Sequence, residues 1–290
     1  MHVFKAAVVG AGTMGGEIAQ VMASAGIPVV LKDIEQRFVD TGLQKAEEVT
    51  RNQLGALVGR EKISAEDADR QLEEITGRIA GATDYGGFGD VDFVVEAVPE
   101  KMALKQAVFA ELDVVTPGHA ILSSNTSSLA ITEMADATSR PHKVVGFHFF
   151  YPASMMRLIE VVEGEDTSAE TLGASSNFAQ QIRKTPIGCV DAPGFVVNRV
   201  LISAVSEIWR VVHEKELDVE EADRVVQESR AAPMGPFFLS DLLGLDTVLH
   251  VAEHLNESYG ERFFISPAMS ELVAAGDLGQ KTGKGFYEHG

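Results

Sequence analysis

A histidine and a carboxylate stand in two neighbouring apolar stretches and could do acid–base chemistry together. His148 lies near the end of one predicted strand, and Glu160 lies near the middle of the next. Imidazole exchanges a proton near neutral pH, which suits a reacting hydroxyl or carbonyl. A carboxylate in an apolar strand is costly unless it is paired. We therefore predict that His148 is the general acid/base and that Glu160 orients it, although a core histidine bonded to the backbone remains an alternative.

A glycine-rich turn near the start of the chain is typical of phosphate binding. Glycines 10, 12 and 15 follow an apolar strand and open a helix. In this pattern the glycines allow a tight turn, a close approach of a pyrophosphate and close helix–strand packing. The phosphates then lie at a helix N-terminus, where free amides and the helix dipole favour anions. We predict dinucleotide binding by Gly10, Ala11, Gly12, Thr13, Met14 and Gly15.

An acid at the end of the second predicted strand favours one of the two nicotinamide dinucleotides. Asp33 follows Gly15 by 18 residues, so its carboxylate can accept hydrogen bonds from the adenosine ribose. The same charge repels a 2′-phosphate, which favours NAD over NADP. A solvated turn acid is the alternative, and the nearby Lys32 and Arg37 soften the preference.

Two further polar positions could contact a substrate. The run Ser123–Ser128 directly follows an apolar strand, and its hydroxyls could either bind a substrate oxygen or cap the next helix. Asn198 lies among apolar residues in the first turns of a long helix, where it needs a partner. That partner could be a substrate or a neighbouring helix.

The order of predicted elements indicates two domains. Strands alternate with helices up to about residue 186, which predicts a mostly parallel sheet covered on both faces. Within this part we expect a helix over 38–77, with a break near Gly59 and a restart at Ser64, and another helix from Thr167 to Thr185. Beyond residue 186 the apolar spacing is helical. We predict an α/β Rossmann-type dinucleotide-binding domain over 1–186 and an all-α C-terminal domain over 187–290.

Composition excludes several classes of protein. Lys and Arg total 24 against 43 Asp and Glu, and a net charge of −19 argues against nucleic acid or an anionic membrane as partner. We expect no transmembrane helix, since no apolar run reaches 18 residues, and no metal site, since the histidines form no ligand motif. A single cysteine, Cys189, and a start without signal-peptide layout lead us to expect a cytoplasmic protein.

Taken together, the motifs resemble the L-3-hydroxyacyl-CoA dehydrogenase family and, within it, the short 3-hydroxybutyryl-CoA dehydrogenase type. The resemblance covers residues 4–288, nearly the whole chain. It is carried, in the family's order, by Gly10–Gly15, Ser124–Ser128, Phe147–Phe150 with Pro152, Pro193–Arg199, Pro233–Phe237 with Asp241, Gly244–Asp246 and Lys281–Tyr287.

The resemblance implies a role for individual residues. His148 matches the base that takes the proton of the 3-hydroxyl, Glu160 the acid that orients it, and Ser127 a serine near that hydroxyl and the nicotinamide ribose. Asn198 matches the asparagine that holds the reacting end of the substrate. Three further residues fall at positions that contact the cofactor: Glu100, Lys105 and Lys281. The family also implies a homodimer joined by its helical domains, with CoA between the two domains of each chain.

Two departures from the family pattern stand out. Tyr151 replaces an asparagine near the nicotinamide, so we expect an altered cofactor or substrate geometry and faster turnover in a Tyr151→Asn variant. The helix after Asp33 usually carries lysines that meet the CoA phosphates, whereas residues 38–62 hold only scattered bases here. A modest CoA affinity or a different acyl carrier would follow.

The leading hypothesis is therefore reversible, NAD-dependent oxidation of an L-3-hydroxyacyl-CoA. Fatty acid β-oxidation and butanoate metabolism both fit this reaction. One alternative is a related dehydrogenase of a free hydroxy acid, which the sparse bases favour and the intact Ser124–Ser128 stretch opposes. The other is a non-catalytic NAD-binding protein, which the complete set of His148, Glu160, Ser127 and Asn198 opposes.

Overall fold

The computed structural model describes residues 2–290, which form two compact units. The first unit ends at Asp191, and the second comprises Ala192–Gly290. This division falls five residues beyond the boundary expected at 186, because a strand that crosses residue 186 belongs to the sheet of the first unit.

The first unit is built on one sheet. Its strands are β1 (Ala6–Val9), β2 (Val29–Lys32), β3 (Ile79–Ala82), β4 (Phe93–Glu96), β5 (Ile121–Ser124), β6 (Val144–Phe149), β7 (Leu158–Glu163) and β8 (Thr185–Val190). Their order in the sheet is β3-β2-β1-β4-β5-β6-β7-β8. All neighbouring pairs are parallel except β6 and β7. The central strands are buried on both faces, which explains their continuous apolar sequences.

Helices connect the strands of this sheet. They are α1 (Thr13–Ser24), α2 (Gln36–Val58), α3 (Ala65–Thr76), α4 (Met102–Val115), α5 (Ile131–Ala135) and α6 (Ala169–Gln181). Because β1 to β6 run in the same direction, their carboxyl ends meet at one edge, where ligands of open α/β sheets bind. The glycine turn, Ser124–Ser128 and His148 all lie at this edge.

Most local predictions in the first unit are confirmed, and two are wrong. The long helix is broken as expected, and the Ser64 hydroxyl caps α3 by accepting from the Asp67 amide at 3.0 Å. The helix expected to reach Thr185 ends at Gln181, and the strand β8 that follows has no counterpart in the sequence prediction. β8 is the last strand of the sheet, and its partly exposed sequence contains Pro186 and Gly188, so it lacks a clear apolar period.

The second unit is helical, as predicted. Its helices are α7 (Val197–Lys215), α8 (Val219–Glu228), α9 (Pro236–Leu243), α10 (Leu245–Tyr259) and α11 (Pro267–Ala275). They surround an apolar core of their own that includes Trp209, Phe237, Leu255 and Phe263. Within residues 2–290, every helix is too short or too polar to cross a membrane.

Candidate active site

The glycine turn has the shape that the sequence pattern predicts. Gly10 has φ +101°, and a Cβ there would lie 2.5 Å from the Ala97 carbonyl oxygen. A Cβ at Gly15 would lie 1.7 Å from the Gly10 carbonyl oxygen, so α1 packs directly against the turn. By contrast, a Cβ at Gly12 would meet nothing within 4 Å in the described chain. The turn therefore leaves room at the one position where a phosphate needs to approach the backbone.

The helix that follows the turn is open to an anion. Gly12 is the N-cap residue of α1; it makes no side-chain cap, and the first turn of α1 has no acid. The Asp33 carboxylate accepts from the amides of Ala11 and Ile34, both at 2.7 Å. Asp33 thus holds the turn in place, and its remaining lone pairs are compatible with a ribose hydroxyl. The open amides, the space over Gly12 and this acid together fit NAD.

A buried ion pair lies beside the turn, where β4 ends. Lys105 and Glu96 are 1% and 0% exposed, and their Nζ and Oε1 atoms are 2.8 Å apart. The Lys105 ammonium also lies 3.1 Å from a Glu100 oxygen and donates to the Val98 carbonyl at 3.3 Å. All three contacts of the Lys105 ammonium are with groups of the protein itself, so Lys105 influences the site through Glu100.

Glu100 in turn holds the polar run that follows β5. One of its oxygens accepts from the Thr126 hydroxyl, from the Ser127 amide at 3.3 Å and from the Ser128 hydroxyl at 3.2 Å. Burial alone would raise the pKa of Glu100, but the Lys105 charge and these hydrogen bonds outweigh it and hold that pKa below its ordinary value. Glu100 is therefore a carboxylate at neutral pH, and it fixes the backbone around Ser127.

The predicted histidine–carboxylate pair is present. His148 and Glu160 lie opposite each other on the antiparallel strands β6 and β7, and Nδ1 of the imidazole is 2.8 Å from Oε2. Their side chains are 7% and 1% exposed. The Phe150 ring packs on the imidazole, with the ring centroids 4.5 Å apart. This arrangement allows Glu160 to fix the tautomer and stabilise an imidazolium cation.

Two positioning residues were given no role of their own from the sequence, although Asn125 lies within the predicted run Ser123–Ser128. Glu96 accepts from the Ser124 hydroxyl at 2.6 Å, which ties the ends of β4 and β5 together. The Asn125 side chain accepts from the Phe149 amide at 2.8 Å, which ties β5 to the end of β6 beside His148. A carboxylate in the buried run of β4 was a detectable signal for Glu96, of the same kind that identified Glu160.

Two other predicted site residues lie in the second unit. Asn198 is half-buried in the first turn of α7. Lys281 lies in the C-terminal segment, where its ammonium contacts Asp246 at 2.6 Å and the Thr247 hydroxyl at 3.0 Å. Burial raises the pKa of Asp246, but the bonds from Lys281 and Thr247 outweigh this and keep it below its ordinary value. The remaining predicted site residues belong to the first unit.

Several known dehydrogenases are similar to this chain over its whole length. A probable 3-hydroxybutyryl-CoA dehydrogenase of Deinococcus radiodurans is 41% identical over 98% of this chain and 100% of its own length. A 3-hydroxybutyryl-CoA dehydrogenase of Clostridioides difficile is 38% identical over 98% of this chain and 99% of its own. The crystal structure of (S)-3-hydroxybutyryl-CoA dehydrogenase from Ralstonia eutropha superposes with a TM-score of 0.91 at 36% identity, over 100% of both chains.

The family profiles divide the chain in the same way as its structure. Residues 5–192 match the NAD-binding domain of 3-hydroxyacyl-CoA dehydrogenase, and residues 194–289 match its C-terminal domain. With NAD as its cofactor, this chain belongs to the 3-hydroxyacyl-CoA dehydrogenase family of oxidoreductases.

Proposed function

We propose that the chain interconverts an L-3-hydroxyacyl-CoA and the corresponding 3-oxoacyl-CoA, with His148 as the general acid/base. The observation that carries the proposal is the pairing of His148 Nδ1 with Glu160 at 2.8 Å, at the sheet edge that also carries the glycine turn. The names of the similar proteins support a short acyl chain, so 3-hydroxybutyryl-CoA is the substrate to test first.

In the proposed oxidation, the substrate loses a hydride from C3 and a proton from its 3-hydroxyl group. Bound NAD supplies the hydride acceptor for the hydrogen on C3 of the substrate. His148 takes the proton of the 3-hydroxyl on Nε2, since Nδ1 is bonded to Glu160. The Glu160 carboxylate, bonded to Nδ1, stabilises the resulting imidazolium cation. In the reverse direction the same imidazolium returns its proton to the 3-oxo group.

The other predicted residues orient the reactants in this proposal. Ser127 donates to the substrate oxygen and contacts the nicotinamide ribose, while Asn198 holds the reacting end of the substrate. Glu100 faces the cofactor with Lys105 fixed behind it by the contact of 3.1 Å. Asp33 contacts the adenosine ribose, and Lys281 contacts the cofactor.

The test follows NADH absorbance while acetoacetyl-CoA is added, with His148→Gln as the variant. We expect turnover by the native protein and a loss of roughly a hundredfold or more in the variant, because general acid–base catalysis by histidine contributes about 10²–10⁴. NADH binding and the circular dichroism spectrum should be unchanged in the variant. Equal turnover by His148→Gln would refute its role. Silence of the native protein, with NADH binding intact, would refute the acyl-CoA reaction and direct the assay to free hydroxy acids.

We also propose that the protein is a cytoplasmic homodimer joined through its second unit. Its one cysteine requires no oxidising compartment. Several large apolar side chains of the second unit are solvent-exposed in the single chain, among them Val200 (64%), Val225 (52%) and Leu242 (42%). Exposed apolar surface of this kind is typical of protein interfaces. Analytical ultracentrifugation should give the mass of two chains, and a monomer at micromolar concentration would contradict the proposal.

A further inference from the structure

A cavity of about 220 Å³ with a mixed polar and apolar lining lies in the first unit. Its walls come from α1, α2, the segment before β7 and the segment before β8. They include Gln20, Gln53, Ser154, Arg157, Arg183 and Lys184. The cavity lies against Gln20–Ser24, the C-terminal half of α1, and against Ala25 after it, away from the glycine turn at the other end of that helix.

Two arginines give this cavity an unbalanced positive charge. In residues 2–290, neither Arg157 nor Arg183 has a carboxylate oxygen within 4.0 Å, although the chain has 43 acidic residues. Some exposed arginines elsewhere do pair, since Arg70 lies 2.5 Å from Asp67 and Arg224 lies 2.7 Å from Glu228, whereas Arg199 and Arg262, which line another pocket, have no carboxylate partner among the described residues. Two unpaired guanidinium groups at one cavity of an acidic protein favour an anionic ligand.

The backbone at one of these arginines is strained. Arg183 has φ +62°, in the left-handed region where glycine is the usual residue. It lies between the end of α6 and the start of β8, where a glycine would fit without strain. Glu61, Glu216 and Arg230 share this conformation just after other helices, so it reflects the end of α6, and the place of the Arg183 side chain is given by the cavity that it lines.

Buried polar contacts hold the wall that carries Arg157. Lys184 is buried, and its ammonium donates to the carbonyls of Ala153 and Met156 at 2.5 and 2.7 Å. Burial, together with the charge of Arg157, lowers the pKa of Lys184, against the opposing effect of Glu17. The Glu17 carboxylate accepts from the Ser154 amide at 3.2 Å. Lys184 and Glu17 therefore fix the segment in place independently of any ligand.

We propose that this cavity binds phosphate groups of the acyl-CoA substrate, through Arg157 and Arg183. The inference rests on the proposed function. Residues 150–157 lead from the end of β6 beside His148 to the cavity, and the pairing of Phe149 with Ile159 places Arg157 at the same edge of the sheet as His148. Guanidinium groups bind phosphate oxygens in pairs, which suits the nucleotide end of CoA. The proposal also accounts for the few bases in residues 38–62, because the positive charge comes from positions 157 and 183 instead.

The test compares two thioesters that differ in their phosphates. Arg157→Gln/Arg183→Gln should raise KM for acetoacetyl-CoA by about tenfold or more, since the loss of even one bond to a charged group costs roughly a factor of ten. KM for acetoacetyl-pantetheine, which has no phosphate, should be unchanged, as should kcat. Arg70→Gln/Arg224→Gln is the control, because it removes the same charge from exposed arginines elsewhere.

A second variant separates binding from backbone strain. Arg183→Gly should raise both the melting temperature and KM for acetoacetyl-CoA, because it removes strain and charge together. A purely structural role of Arg183 would raise the melting temperature alone, which would overturn the proposal.

Three other results would overturn it. These are an unchanged KM for acetoacetyl-CoA in the double variant, an equal rise for both thioesters, and a loss of NADH affinity, which would assign the cavity to the dinucleotide. If the native protein turns over neither thioester, the proposed function fails, but calorimetry with CoA and pantetheine still tests the cavity. CoA affinity should then fall about tenfold in the double variant. Equal CoA affinities of the native protein and the double variant, or no CoA binding by the native protein, would refute the proposed phosphate site.

Discussion

Buried carboxylates serve different purposes in the two units of this protein. In the first unit Glu96 and Glu160 are 0% and 1% exposed, and each pairs with a basic side chain at the catalytic edge of the sheet. In the second unit Asp223 and Asp241 are 4% and 0% exposed, and they mainly accept from backbone amides. Glu96 and Glu160 therefore position chemistry in the first unit, whereas Asp223 and Asp241 hold the chain path in the second.

The two aspartates of the second unit form one connected clamp. Asp223 accepts from the amides of Phe237 and Phe238 at 3.0 and 2.8 Å, at the start of α9. Asp241, within α9, accepts from the amides of Phe286 and Tyr287, both at 2.9 Å. The Tyr287 hydroxyl donates to Asp223 at 2.8 Å, and burial together with Asp223 raises the pKa of this phenol. The clamp thus joins α8, α9 and the C-terminal segment.

The largest loss of stability is expected on removal of the Lys105 charge. Lys105→Met should lower the free energy of unfolding by about 3–5 kcal/mol, because it leaves the Glu96 carboxylate buried without its cation. Urea denaturation followed by far-ultraviolet circular dichroism measures this loss. The double variant Glu96→Gln/Lys105→Met is the control and should recover part of the stability. A double variant less stable than the single one would show that Glu96 does not depend on the pair.

Replacing Asp241 of the clamp with a neutral side chain of the same shape should destabilise the protein. Asp241→Asn should cost about 2–3 kcal/mol, since an amide loses the charge that two backbone amides and His289 share. Trp209, the sole tryptophan of the chain, lies in the second unit, so its fluorescence reports this loss. NADH affinity should stay unchanged. Weaker NADH binding at unchanged stability would mean that Asp241 acts in the cofactor site. It would then not serve only to hold the chain path of the second unit.

Conflict between burial and charge was a useful signal in the sequence, although the same signal was overlooked at Glu96. Glu160 was found because a carboxylate stands out in an apolar strand, and the glycine turn was found because its spacing has a steric cause. Strand β8 was missed because an edge strand with a proline and a glycine carries no clear period. The bonds of Lys105 to Glu96 and Glu100, and of Asn125 to the Phe149 amide, depend on which strands are neighbours, which local patterns do not determine.

The catalytic pair should lose activity without losing the fold. Glu160→Gln should lower kcat by about ten- to a hundredfold, because the imidazolium loses its counter-charge while the amide can still contact Nδ1. Initial rates of acetoacetyl-CoA reduction measure this effect. His148→Gln/Glu160→Gln should be no slower than His148→Gln alone, since the two residues act as one unit. Additive losses would mean that Glu160 acts on something other than His148.

The smallest effect is expected at the exposed pair of Lys281 and Asp246, whose side chains are 45% and 43% exposed. At pH 7, Lys281→Met should lower the free energy of unfolding by at most about 1 kcal/mol, because water and salt screen the pair. The lowered pKa of Asp246 fixes the sign of the pH dependence. Its contribution is complete above the ordinary aspartate pKa of 3.8 and is lost as the pH falls through the lower native value.

The difference in stability between native protein and Lys281→Met should therefore shrink below about pH 4. Urea denaturation at pH 7 and pH 3, followed by Trp209 fluorescence, measures this difference, and added salt should reduce it at pH 7. Asp246→Asn is the matched control and should show the same pH dependence. A loss at pH 7 as large as that of Lys105→Met would mean that exposure does not set the strength of these pairs, and the contrast between the two units would then need another cause.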